Sequence, residues 1–163
     1  MAKPNSNTAA QEVDIATNKK ARHDYQISDT YECGISLRGT EVKSIRASMV
    51  NIRESFARVE KGQMFLYGCD IQPYQAASHT QHESKRPRRL LLHKKEIIKL
   101  AAATDQKGCS LVALRLYWKG QLVKVEIGVA KGKDHADRRH TLRDQTEKRE
   151  ADREMAAFNR KNS

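Results

Sequence analysis

The segment from Ser110 to Val129 limits the fold more than any other stretch of the chain. Ser110, Val112, Leu114, Leu116 and Trp118 alternate with Leu111, Ala113, Arg115 and Tyr117, then Lys119-Gly120 supplies a turn, and Val123, Val125, Ile127 and Val129 follow at period two. Residues i and i+2 share one face of a strand, so the pattern predicts a long antiparallel hairpin. Lys124 and Glu126 fall on the opposite face, which predicts one buried and one wet side. A hairpin alone is marginal in water and needs further strands. Phe56–Glu60 and Gln63–Tyr67 predict a second one across Lys61-Gly62, the glycine supplying the positive φ of a two-residue turn. Tyr31–Arg38 reads as another strand.

Two short helices are predicted among these strands. Glu41–Ala47 puts Val42 and Ile45 on one face; Lys94–Thr104 puts Ile97, Leu100 and Ala101 on one side and leaves Lys94, Lys95 and Lys99 outside. Five or six strands with one or two helices predict a mainly β protein, a small closed barrel of the OB-fold type, a fold that often binds oligonucleotides. Residues 1–17 are small and polar and read as a flexible leader. Residues 18–130 form the foldable unit. From 131 to 163 charge dominates, and the only large apolar residues are Leu142, Met155 and Phe158. That tail has helix-forming composition, with Asp144/Lys148 and Glu150/Arg153 at favourable spacings, but no continuous apolar stripe. It is expected to be disordered when free and helical against a partner.

Charge narrows the function. The chain of 163 residues carries a formal net charge of +11. The three segments carry −1, +9 and +3, so the excess sits on the foldable part. A basic body favours a polyanion, because neutralised phosphates release condensed counterions. No apolar run approaches the roughly 20 residues of a membrane span, and the first residues lack the apolar region of a secretory signal. Neither membrane association nor secretion is expected, and the expected location is cytoplasmic. Cys33, Cys69 and Cys109 are far apart and odd in number, which supports neither a disulfide framework nor a zinc site; free, buried thiols are expected. His79 and His82 stand three apart without a third ligand, so no metal or cofactor is expected.

The densest basic run is Lys85-Arg86-Pro87-Arg88-Arg89, followed after three leucines by His93-Lys94-Lys95. A second, Asn18-Lys-Lys-Ala-Arg-His23, opens the foldable unit. Guanidinium groups suit bidentate phosphate contacts and aromatic rings stack on unpaired bases, which makes Tyr25, Tyr31 and Tyr74 stacking candidates. The Walker A loop, nucleophile elbow, H-E-x-x-H and G-x-G-x-x-G motifs are all missing. His23-Asp24 is the one pair with acid–base chemistry, though sequence neighbours rarely face one reacting atom.

Four segments taken together, Asn18-Lys-Lys-Ala-Arg-His-Asp-Tyr25, Gly39-Thr-Glu-Val-Lys-Ser44, Arg89-Leu-Leu-Leu-His-Lys-Lys-Glu96 and Val123–Lys133, closely resemble the small protein B family, the SsrA-binding proteins of bacteria. The resemblance runs in order from about Asn18 to Arg139. It implies an OB-type body that binds the tRNA-like domain of transfer-messenger RNA. It also implies delivery with elongation factor Tu to stalled ribosomes, where the protein stands in for codon–anticodon pairing at the decoding centre and its tail enters the empty mRNA channel. Tagging of the incomplete polypeptide follows by trans-translation, and the protein itself is not an enzyme. Glu32, Leu91 and His93 match family positions linked to RNA binding, with Asn common in the family where His93 stands. Asn18, Lys19, Arg22, His23, Tyr25, Glu41, Lys43, Arg88 and Arg89 lie in or beside the RNA-facing motifs. Lys131, Lys133, Asp137, Arg138, Arg139, Leu142 and Arg143 fall in the tail that the resemblance assigns to the ribosome. Ala136 and Glu147 depart from the family's usual His and aromatic residue.

Two other readings are open on sequence alone. One is a general OB-type binder of tRNA or rRNA without a rescue role. The other is an RNA-processing enzyme using His23, His93 or His135. Glu32 and Glu41 have two roles open to them in a basic site: accepting hydrogen bonds from bases or 2′-hydroxyls, or forming structural ion pairs.

Overall fold

The computed structural model describes residues 11–76, 81–133 and 135–161. Residues 1–10 of the leader and His79 lie outside the described residues, as do the side chains of His135, Asp137 and Arg138. In chain order the elements are β1 (Glu12–Thr17), α1 (Lys19–Asp24), β2 (Tyr25–Ile35), α2 (Gly39–Arg46), β3 (Val50–Asn51), β4 (Phe56–Glu60), β5 (Gln63–Tyr67), β6 (Asp70–Ile71), β7 (Arg88–Leu91), α3 (Lys94–Thr104), β8 (Cys109–Lys119), β9 (Leu122–Gly132) and α4 (His135–Lys161). Two compact units emerge, Met1–Lys131 and Gly132–Ser163.

Seven strands pair in the order β1-β8-β4-β5-β7-β2-β9, and β8 also pairs with β9, so the pairings close on β8 and leave β1 outside the circuit. One edge of β8 serves two partners. Leu111 and Val112 face β4, whereas Arg115–Lys119 face β1. The β4–β5 hairpin forms as expected, with Lys61 at φ 49° and Gly62 at φ 74°, the two positive values of a type I′ turn. The β8–β9 hairpin turns one residue later than predicted: Lys119 pairs with Leu122, leaving Gly120-Gln121 as the turn. Met64, Leu66, Leu90, Leu111, Leu116, Val125 and Ile127 fill the interior, and Ile45 of α2 and Leu100 of α3 join them.

Gly128 lies inside β9, where a strand ordinarily gains from a side chain. A Cβ there would sit 2.8 Å from Leu114 Cδ1 and 3.0 Å from Ile27 Cγ2. The missing side chain is the space into which β2 and β8 pack.

The sequence expectations need revision at three places. The leader is not flexible to Thr17: Glu12–Thr17 is a strand on β8, with Ile15 and Ala16 packed against the core. Arg115 pins it, donating to Glu12 (2.9 Å) and Asp14 (3.0 Å) from β8 while its Nε donates to Glu126 (2.6 Å). The strand at Tyr31 begins earlier, at Tyr25, and runs 11 residues. The second face of the long hairpin is not wet throughout, because Val112, Leu114 and Ala130 bury against Ala21 of α1 with Tyr25 and Ile27. In the tail, His135–Lys161 form one helix of 27 residues, α4. An isolated helix is marginal below about 12–15 residues, and this one exceeds that length in residues that favour helix. Among the described residues no helix is long and apolar enough to cross a membrane.

Candidate nucleic-acid interface

The interface is organised by the alternation of β7. Arg88 and Leu90 point inward and are buried, while Arg89 and Leu91 point outward and are exposed. The densest basic run therefore divides into one structural arginine and a set of presented residues.

Arg88 is completely buried, which corrects its reading as an RNA contact. Its Nε donates to Glu41 Oε1 (2.9 Å), and its remaining donors reach the carbonyls of Cys69 (2.6 Å), Arg86 (3.2 Å) and Ser84 (2.9 Å). Glu41, equally buried, also accepts from Arg86 Nε (2.8 Å) and Nη2 (2.6 Å) and from the Arg38 backbone N–H (2.7 Å). Burial alone would raise the Glu41 carboxyl, but Arg86, the Arg38 N–H and Arg88 outweigh it and hold the group below its ordinary range. An ion pair in which each guanidinium nitrogen has a hydrogen-bond partner is the condition under which buried charge is tolerated. Of the two roles open to Glu41, the structure takes the ion pair. That pair fixes β7 against α2.

Asn18 is the second residue that turns out to be structural. Its Oδ1 caps α1 by accepting from the Ala21 N–H (3.0 Å), and its Nδ2 donates to the carbonyls of Arg53 and Ala113, both at 3.0 Å. Buried in this way, it holds α1 in place. The helix then presents Lys19 and Arg22 outward, with His23 and Tyr25 half-buried. His23 Nδ1 donates to Asp24 Oδ1 (2.9 Å).

Glu32, Leu91 and His93 come from β2, β7 and the residue that opens α3, yet they line one cleft, together with Leu92, Glu96 and Lys124. The register explains the convergence. Gly34 lies opposite Leu91, so Glu32, two residues back, shares the same outward face. Leu91 is 53% exposed, an unusual state for a leucine within a strand. Glu32 Oε2 accepts from Tyr117 Oη (2.6 Å) and Lys119 Nζ (2.8 Å), and Lys124 Nζ lies 3.8 Å from Oε1. Lys119 first, then Tyr117, holds the Glu32 carboxyl below its usual range. The carboxylate is thus ionised, oriented and flanked by two lysines. His93 caps the start of the helix, its backbone N–H donating to Glu96 (3.0 Å), which holds its backbone at the cleft rim.

Other predicted residues lie apart from this cleft. Lys43 is exposed, its ammonium 5.7 Å from the Tyr74 ring centroid, whereas Tyr31 packs against the core. Cys33 and Cys69 are buried free thiols, pushed up by burial to about 12 and about 11; Cys109 is partly exposed. His82 is no metal ligand: its Nε2–H donates to the Ile71 carbonyl (3.0 Å) and its Nδ1 accepts from the Thr40 hydroxyl (3.0 Å). Among the described residues no group of three His, Cys, Asp or Glu is placed to hold a metal. Among the described acid–base residues, Asp24, the partner of His23, lines a different cleft from His93. In the second unit Arg139, Leu142 and Arg143 are exposed on α4 and Lys133 is half-buried; Lys131, the last residue of the first unit, is exposed.

Sequence reasoning missed Lys124 and Glu96 in the Glu32 cleft. Both sit in motifs quoted for the resemblance, and the period-two pattern placed Lys124 opposite the buried valines. It also missed an outward row across three strands in which Arg58 faces Phe65 and Phe65 faces Arg89.

The geometry has its counterpart in known proteins. The family model described as SmpB protein matches residues 15–157. An SsrA-binding protein from Carboxydothermus hydrogenoformans is 50% identical over 143 residues, which is 88% of this chain and 96% of that protein. One from Shouchella clausii is 52% identical over 139 residues, covering 85% of this chain and 89% of the relative. A solved structure of tmRNA–SmpB, concerned with the centre of the bacterial ribosome, superposes with a TM-score of 0.62 at 46% identity, over 74% of this chain and 85% of that one. This chain belongs to the SmpB protein family.

Proposed function

We propose that this protein binds the tRNA-like domain of transfer-messenger RNA and brings it to stalled ribosomes for trans-translation, without catalysing a reaction itself. The single observation that carries the reading is the meeting of Glu32, Leu91 and His93 in one cleft from three separate elements, in a chain half identical to SsrA-binding proteins over most of its length. In this reading the circuit of strands from β8 to β9 is an OB-type barrel. Its exposed apolar Leu91 packs against an unstacked base or ribose, Glu32 accepts from a base amino group or a 2′-hydroxyl, and Lys119, Lys124 and Arg89 meet phosphates. Lys19, Arg22, His23, Tyr25 and Lys43 extend the contact.

The tail has a separate task. Lys131, Lys133, Asp137, Arg138, Arg139, Leu142 and Arg143 read the vacant decoding centre, and α4 lies in the mRNA channel, while elongation factor Tu arrives on the RNA. Such a complex works in the cytoplasm. Deleting residues 132–163 is expected to leave affinity for the tRNA-like domain within about twofold and to abolish tagging on ribosomes halted at the end of a message without a stop codon. Loss of RNA affinity in that truncation would remove the division of labour.

A further inference from the structure

A second cleft of the body lies apart from the one at Glu32. It encloses about 620 Å³, within the roughly 300–1,000 Å³ typical of ligand pockets, and Glu32, Leu91 and His93 take no part in it. Lys20 and Tyr25 line it from the α1–β2 side, Arg53, Phe56 and Arg58 from the β4 side. Its floor borders an aromatic pair that is already stacked. The Phe56 and Tyr67 rings lie 5.5 Å apart with 16° between their planes. The Arg58 guanidinium carbon is 5.9 Å from one centroid and 5.8 Å from the other. Tyr67 Oη donates to Glu60 (2.7 Å), which fixes the ring that supports Phe56. Phe56 remains 40% exposed, although a phenylalanine in a small β body would ordinarily serve the core.

Flat, ordered and half-open aromatic surface beside cations is the chemistry that receives a nucleobase and its phosphates. Every base offers a π-face to an aromatic ring, and a guanidinium stacks on bases as well. Lys20 and Arg53 form no ion pair among the described residues, so their charge is available, and Lys19 adjoins them around Asn18. Asp24 and Glu54 also line the region; the first is engaged by His23, and the second suits the amino edge of a base better than a phosphate.

We propose that this cleft holds an unpaired nucleotide of the bound RNA, its base stacked on Phe56 and its flanking phosphates met by Lys20 and Arg53. The inference rests on the RNA-binding reading above, and it adds a second contact on a different part of the body from the Glu32 cleft.

The test uses the full chain and a tRNA-like domain of transfer-messenger RNA carrying 4-thiouridine. Phe56→Leu and Arg58→Gln are expected to weaken binding about tenfold, within the range for loss of one base stack, whereas Phe56→Trp retains affinity. Irradiation is expected to cross-link the RNA to Phe56 or Tyr67 in the wild-type chain. Wild-type affinity in both Phe56→Leu and Arg58→Gln would overturn the inference. So would weakened binding with cross-links only outside this cleft, because that would make Phe56 a packing residue. Failure of the RNA-binding reading looks different: the wild-type chain would then bind the tRNA-like domain no better than a random RNA of equal length.

Discussion

Glu41 and Arg88 contribute more to this molecule as structure than they could as RNA contacts. Replacing Glu41 by Gln leaves the Arg88 guanidinium buried without its counter-charge, which is expected to cost about 3–5 kcal/mol. Differential scanning calorimetry should register this as a drop of roughly 10 °C in Tm. The sign of the pH dependence follows from the same pair. The folded chain holds the Glu41 carboxyl below its ordinary value of 4.5, so the unfolded state binds the proton more readily. The stabilisation is complete above the ordinary value and drains away as pH falls through it toward the folded one. Melting curves between about pH 3 and pH 7 should show that this component of the slope disappears in Glu41→Gln. Leu91 behaves oppositely. Because it is half exposed, Leu91→Ala is expected to shift Tm by no more than about 2 °C while reducing affinity for the tRNA-like domain about tenfold, as titration of labelled RNA would show. From the sequence, Arg88 and Arg89 were indistinguishable. The run Arg-Arg-Leu-Leu-Leu does not alternate, so nothing in it says which arginine turns inward; only the register against β5 decides that. Glu32, Leu91 and His93 were legible through resemblance, and their convergence through none of the local patterns.

At the scale of elements, the two hairpins and α3 were readable because period-two and helical patterns are local properties of the chain. β1 was not, because Val13, Ile15 and Ala16 form too short a pattern to stand out; what orders them is β8 and the three carboxylates around Arg115. These pairs are partly solvated, so Arg115→Ala is expected to cost only about 1 kcal/mol. Its clearer signature is faster amide exchange confined to residues 12–17. Gly128 is less forgiving. Gly128→Val puts a branched side chain where Leu114 and Ile27 already sit, and the expected result is a loss of about 1–3 kcal/mol or more, read as a lower denaturant midpoint. The tail poses a separate question. A missing apolar stripe argues against packing, not against helix, and 27 residues of favourable composition need no packing to turn. Circular dichroism tests this directly: removing residues 132–163 should abolish ellipticity equivalent to about 27 helical residues, and a much smaller loss would mean that the free tail is coil.

Taken whole, the molecule is a β body with a charged helix after it and a net charge of +11. The charge gives affinity for any RNA, and with about six phosphate contacts that affinity falls by roughly three orders of magnitude between 50 and 200 mM salt. Discrimination has to come from shape-dependent contacts, which in this account are centred on the Glu32–Leu91–His93 cleft. A competition binding assay near physiological salt separates the two. It sets the tRNA-like domain of transfer-messenger RNA against an elongator tRNA and against a random RNA of equal length. The account predicts a preference of at least tenfold for the tRNA-like domain, about 1.4 kcal/mol, that is lost in Leu91→Ala. Equal affinity for all three RNAs would contradict it and leave a basic β protein that binds RNA by charge alone.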